Sequence, residues 1–201
     1  MVIRRGDDWG EPSSAPSDLP WFHDDSSAAR LVSESGDARL GLLGGDMART
    51  LGAEGDGASI RFRIDIVRVT WESPRGSESA LALAHAVVRR RRGWTGPIIA
   101  VMNAQFIGAW NVAPRGHPND GRVEVIEVDS AMSVGQRWLA RRRLPLGAHV
   151  PHPSIRIGAR DRAEWTFDED LELSVDGVPM GAAVGLRFEV IPDAADVWVR
   201  Q

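Results

Sequence analysis

The sequence has no cysteine, no lysine and no tyrosine among its 201 residues. Without cysteine it can form neither disulfides nor thiolate metal sites, and it fits a reducing compartment, so the expected location is cytoplasmic. Without lysine, all 24 basic residues are arginine. No ammonium group is therefore available as a Schiff-base nucleophile or as a compact phosphate contact. No apolar run reaches 18 residues, which excludes a membrane-crossing helix. The polar stretch Met1–Gly10 lacks the apolar core of a signal peptide. The net charge of −4 excludes attraction to nucleic acid by bulk charge.

What is present is a globular composition, 43% hydrophobic and 26% charged, enough for a sizeable core in one domain with an appended segment. Residues 1–25 are rich in Pro, Ser, Asp and Gly and carry Trp9 and the Leu19-Pro20-Trp21-Phe22 cluster. They read as an extended arm whose aromatics dock on the body or on a partner. Short helices are expected at Ser26–Ser35 and from Asp46 to Leu51, with Gly52 closing the second. Ile60–Val69 alternates like a half-buried strand, with Ile60, Phe62, Ile64 and Ile66 on one side and Arg61, Arg63 and Asp65 on the other. Ser79–Arg92, apolar from Ala80 to Val88 and ending in four arginines, reads as a helix with cations at its C-terminus. Beyond residue 97 short strands dominate, separated by turn signals such as Asp176-Gly177 and interrupted by a helix at Val134–Arg143. The fold class is mainly β (α+β), sandwich-like, with one or two helices in the domain 26–201.

The order of motifs resembles the diacylglycerol/lipid kinase family, whose fold is shared with NAD kinases. Leu40-Gly41-Leu42-Leu43-Gly44-Gly45-Asp46-Met47-Ala48-Arg49-Thr50-Leu51-Gly52 is similar to the family's LGIxPxGTGNDFARTLG segment, shortened at the glycine loop. Arg63–Val69 resembles the strand that follows it. Asn103–Gly108, Ala113-Pro114 and Asp120–Val125 resemble NGxYxGG, AP and DDGxLxV. Leu146–Pro153 resembles xGxHxxHPxV, and Val175-Asp176-Gly177-Val178-Pro179 resembles VDGEP. The resemblance implies a β-rich substrate-side half, with residues 26–56 a remnant of the junction to a nucleotide domain. The expectation is a chain without that α/β nucleotide domain and its GGDGT loop, because only about 40 residues precede the first motif here, too few for the βα units.

In the family, carboxylates of GGDGT, GTGND and DGE are thought to hold metal, and the Asp of DGE to act as base on the lipid hydroxyl. Carried over, the first carboxylate has no counterpart and the second is Asp46. Val178, which has no lone pair for a hard cation, replaces the third. The base is Asp176 and the glycine loop against a nucleotide is Gly44-Gly45. The residues also admit plainer readings. Asp176-Gly177 is a hairpin turn signal, Asp46 a helix N-cap, and Asp120, at a position associated with a structural metal loop, another tight turn. His149 and His152 flank prolines and are not a helix-borne metal pair. Arg89–Arg92 and Arg141–Arg143 are either contacts to anionic lipid headgroups or solvated helix ends. Trp110 and Trp138 either line a pocket or pack in the core.

The expectation is a degenerate lipid-kinase-like protein, a non-catalytic binding or assembly module for a lipid or small molecule, with no cofactor. The alternative is an active lipid kinase using Mg²⁺ and ATP, its nucleotide site completed by a partner chain. A homodimer is expected, because loss of a nucleotide domain should bare apolar surface near Leu40–Leu43. Peripheral contact with anionic lipid is a further expected interaction, and no nucleic-acid partner is.

Overall fold

The computed structural model describes residues 9–36, 38–53, 55, 57–91 and 95–201. In chain order the elements are β1 (Glu11–Pro12), β2 (Trp21–Phe22), α1 (Asp25–Ser35), β3 (Arg39–Leu42), α2 (Asp46–Thr50), β4 (Ser59–Ser73), β5 (Gly76–Ala82), β6 (His85–Arg89) and β7 (Ile98–Met102). There follow β8 (Phe106–Ile107), β9 (Trp110–Asn111), β10 (Val123–Val128), α3 (Val134–Arg143), a 3₁₀ turn (Leu144–Leu146), β11 (Ile155–Arg160), β12 (Arg162–Val175) and β13 (Val178–Arg200). One sheet runs β1-β4-β13-β12-β6-β7-β10-β11, with β3 parallel to β13, β2 parallel to β3, and β5 antiparallel to β4. The small hairpin β8–β9 stands apart from it.

β4 shows why this sheet buries both faces. Phe62, Ile64 and Ile66 lie in a core shared with α1, α2 and β3. Val67, Val69 and Trp71 lie in a second core with β6, β7, β10 and β12. Side chains alternate along a strand, so the even and odd sets point to opposite faces. The adjacent pair Ile66-Val67 marks the change of side. β13 changes side too: Leu186, Phe188 and Val190 join the second core, and Ala195, Val197 and Val199 the first. Its switch is a bulge between Ile191 and Ala195, where Asp193 has φ 52°. Asp65, expected on the polar face, is fully buried beside that bulge. Its carboxylate accepts the backbone N–H of Asp193 at 2.9 Å and of Gly121 at 2.8 Å.

The mainly β architecture and the helices at 26–35, 46–51 and 134–143 agree with the sequence reading. The helix expected at Ser79–Arg92 is instead the two strands β5 and β6. A short apolar run is ambiguous by periodicity alone. Here Ala86 and Val88 meet one core while Val87 packs on another, so the run is buried on both sides as a central strand. Of the four arginines ending it, Arg90 pairs with Glu169 and Arg91 with Glu172, and Arg92 lies outside the described residues.

The arm docks on the body. Trp9 meets Phe62 edge-on, with ring centroids 4.8 Å apart, and β1 pairs with β4. Trp21 lies directly on Gly41, where a Cβ would come within 2.3 Å of the indole. Leu40 and Leu42 are fully buried within the chain in the core under α1. The apolar surface expected there is therefore covered without a second subunit, although Leu43 is exposed.

Candidate functional site

The site forms where α1, α2 and the β5–β6 bend converge on the β12–β13 hairpin. That hairpin turns on two residues, Asp176 (φ 47°) and Gly177 (φ 79°), between the pair Val175 and Val178. Positive φ at both positions is the type I′ geometry that Asp-Gly favours. The turn places the Asp176 carboxylate under the bend. There Oδ2 accepts the N–H of Leu83 at 2.7 Å, and Oδ1 those of Ala84 at 2.9 Å and His85 at 2.8 Å. The Asp176 N–H in turn donates to the His85 carbonyl at 2.8 Å. Burial pushes the Asp176 carboxyl above the usual carboxylate range, against the pull of those three N–H groups.

Asp46 opens α2. Its Oδ2 meets His85 Nε2 at 3.0 Å, and its Oδ1 accepts the N–H of Gly108 at the tip of the β8–β9 hairpin, 2.7 Å away. Arg49 braces that hairpin, donating to the Gly108 carbonyl and lying over the Phe106 ring. The capping offered to Asp46 by the sequence falls to Asp25. Asp25 Oδ2 and Oδ1 accept the N–H groups of Asp46 at 2.6 Å and Met47 at 3.2 Å. Gly45 is the N-cap residue itself, at φ 99°, and a Cβ there would sit 2.6 Å from the Asp25 carboxylate. Gly44 packs as closely on the His23 carbonyl. The glycine pair thus admits a carboxylate of this chain to the helix N-terminus.

Asp25, Asp46 and Asp176 surround one histidine. Burial disfavours the imidazolium of His85, but the Asp46 hydrogen bond and the charges of Asp176, Asp46 and Asp25 outweigh it and raise the His85 pKa. Burial, then the charge of Asp176, pushes Asp25 up to about 7. Magnesium requires oxygens free to coordinate it. Here every oxygen of Asp25, Asp46 and Asp176 meets a protein donor or the His85 ring. His85 Nδ1 is buried without a partner, and a ring nitrogen is a poor magnesium ligand. Val178 is an exposed apolar residue on the far side of the turn. With each of these oxygens already engaged and valine in place of the third carboxylate, the residues present are not arranged as a magnesium site. Among the described residues no group of three or more His, Asp or Glu is placed to hold a metal ion.

The remaining candidates lie elsewhere. Asp120 accepts the N–H of its own neighbour Arg122 at 3.0 Å, and burial raises its pKa. His149 is buried, and His152 Nδ1 accepts the Ser154 N–H at 3.1 Å. Trp110 stacks under Arg141, and Trp138 is exposed on α3 rather than packed in the core. Two surface grooves of about 670 and 650 Å³ flank Glu127 and Arg156 and contain neither Asp46 nor Asp176.

Sequence reasoning missed Asp25 and His85. A signal for Asp25 exists: it stands three and four residues before Ala28 and Ala29, on the buried face of α1. His85 is the one polar residue in the run Ala80–Val88.

The fold is a β-rich sandwich of the NAD kinase type. Residues 78–199 match the family model of the YegS C-terminal NAD kinase beta sandwich-like domain, and the chain belongs to that family. Two solved structures of a protein designated a diacylglycerol kinase, from Bacillus anthracis str. Sterne, share the fold at 11% identity. Their TM-scores are 0.59 and 0.58, over 90% and 88% of this chain and 84% of each of theirs. No curated protein matches the chain. No helix among the described residues is long and apolar enough to cross a membrane.

Proposed function

We propose that the chain is a non-catalytic member of the diacylglycerol kinase-like group, a binding or assembly module that takes a lipid or small molecule without phosphorylating it. The observation that carries this reading is the engagement of Asp176 by three backbone N–H groups. A general base needs a lone pair aimed at the substrate proton, and this carboxylate commits three of its about four acceptor sites to Leu83, Ala84 and His85. Asp46 is likewise engaged by His85 and Gly108. In this reading the family's catalytic carboxylates have become struts that fix the β5–β6 bend and α2. Homodimeric assembly in this reading rests on the open edge of β11, last in the strand order, and not on the Leu40–Leu43 surface that the chain itself covers.

Transfer of radiolabelled phosphate from ATP to diacylglycerol, with calorimetric titration of Mg-ATP, tests the proposal. Neither turnover nor nucleotide binding is expected. Turnover in the ordinary kinase range of about 1–100 s⁻¹ overturns it and favours an active enzyme completed by a partner chain.

A further inference from the structure

Four of the six exposed large apolar side chains among the described residues lie between Val134 and Leu146: Val134 and Trp138 at 51% exposure, Leu139 at 44% and Leu146 at 82%. Scattered exposed apolar residues are ordinary, but a concentration of them marks an interaction surface. α3 rests on a core through Ala140 alone among its apolar side chains, and its fully buried residue is Arg137. That guanidinium donates to the carbonyls of Met132, Asp129 and Gly96. A capping box of Ser133 and Gln136 closes the N-terminus. The helix is thus pinned from beneath and presents Val134, Trp138 and Leu139 outward.

Charge identifies what this face meets. From Ala131 to Arg160 the chain carries six arginines and no acidic residue, while the other 171 residues hold 18 arginines and 28 acidic residues. Arg156 and Arg160 are turned to Glu127. Arg141, Arg142 and Arg143 close the helix, with Arg142 over the ring of Trp138 one turn back and Arg141 over Trp110. Cations with long apolar stems, an indole and exposed leucines on one short helix and the turn after it match a layered surface with negative charge outside and hydrocarbon beneath. Nucleic acid supplies the phosphates but leaves Leu139 and Leu146 in water.

We propose that α3 and the 3₁₀ turn after it form a docking face for an anionic phospholipid bilayer. The arginines meet headgroup phosphates, and Trp138, Leu139 and Leu146 enter the interface. This goes beyond the reading of the carboxylate cluster and holds whether or not the chain transfers phosphate.

Co-sedimentation of the full chain with phosphatidylcholine vesicles, and with vesicles in which phosphatidylglycerol replaces part of the phosphatidylcholine, tests the proposal. Binding is expected to the anionic vesicles only, weakening as salt rises. An arginine near an anionic surface contributes about 1 kcal/mol, or about fivefold. Arg142→Gln with Arg143→Gln should therefore lower partitioning by about 25-fold. Trp138→Ser with Leu146→Ser should also lower it, and Arg75→Gln, on the remote β4–β5 turn, should not. All four side chains changed on α3 and its turn are exposed, so unchanged melting temperatures verify folding. No binding to anionic vesicles, equal binding to neutral ones, or undiminished binding by the double arginine variant overturns the proposal. So does retention of a duplex DNA oligonucleotide by this face in place of vesicles.

Discussion

Asp25 caps the helix that Asp46 begins, its two carboxylate oxygens accepting the N–H groups of Asp46 and Met47 at 2.6 and 3.2 Å. An acidic side chain of α1 thus neutralises the positive end of α2, although burial and the charges of Asp176 and Asp46 resist its ionisation.

The pH dependence of stability follows. Asp25 is pushed up to about 7 and Asp65 to about 6, both from an ordinary value of 3.8, and the His85 pKa is raised as well. The folded chain therefore holds more protons than the unfolded chain between about pH 4 and 7, and stability falls as pH rises through that window. Thermal melts should give a higher midpoint near pH 5 than near pH 8. Asp25→Asn should flatten the difference.

Asp176→Ala should unfold the site rather than merely silence it. It strands three backbone N–H groups, and each buried donor left unpaired costs about 1–3 kcal/mol. A loss of at least about 3 kcal/mol in urea denaturation is expected. An unchanged midpoint would mean that Asp176 does not act as a strut.

Gly45→Ala should destabilise the chain beyond the cost of backbone strain alone. A side chain at φ 99° is strained, and its Cβ would overlap the Asp25 carboxylate. Combining it with Asp25→Ala should recover part of the loss, because the overlap disappears. A double-mutant cycle with no coupling energy would contradict this.

Arg137→Met should loosen α3 without disturbing the cores. The variant leaves the Met132, Asp129 and Gly96 carbonyls without their donor. Amide hydrogen exchange should accelerate across Val134–Arg143 while β4 and β13 stay protected.

The sheet-rich class, the helices α1, α2 and α3 and the Asp-Gly turn were legible in the sequence because local patterns specify them. Ser79–Arg92 was not, because whether an apolar run becomes helix or central strand depends on partners distant in the chain: β6 lies between β7 and β12. The site was half legible. Motif order located Asp46 and Asp176, but what their oxygens do depends on Asp25, Gly108 and the amides of residues 83–85. Asp65 does lie on the face opposite Ile64 and Ile66, as alternation predicts, but that face is covered as well, and its carboxylate accepts the N–H groups of Asp193 and Gly121.

The parallel pairing of Leu40 with Val197 and of Gly41 with Trp198 sets an order on synthesis. Core residues under α1 and α2 stay unfinished until residues 195–199 leave the ribosome, about 150 residues after β3 has emerged. Until then Leu40, Leu42, Phe62 and Ile64 remain open to chaperones and to mispairing. The Asp25–Asp46–His85 cluster, encoded early, likewise waits for Asp176 to reach the amides of residues 83–85.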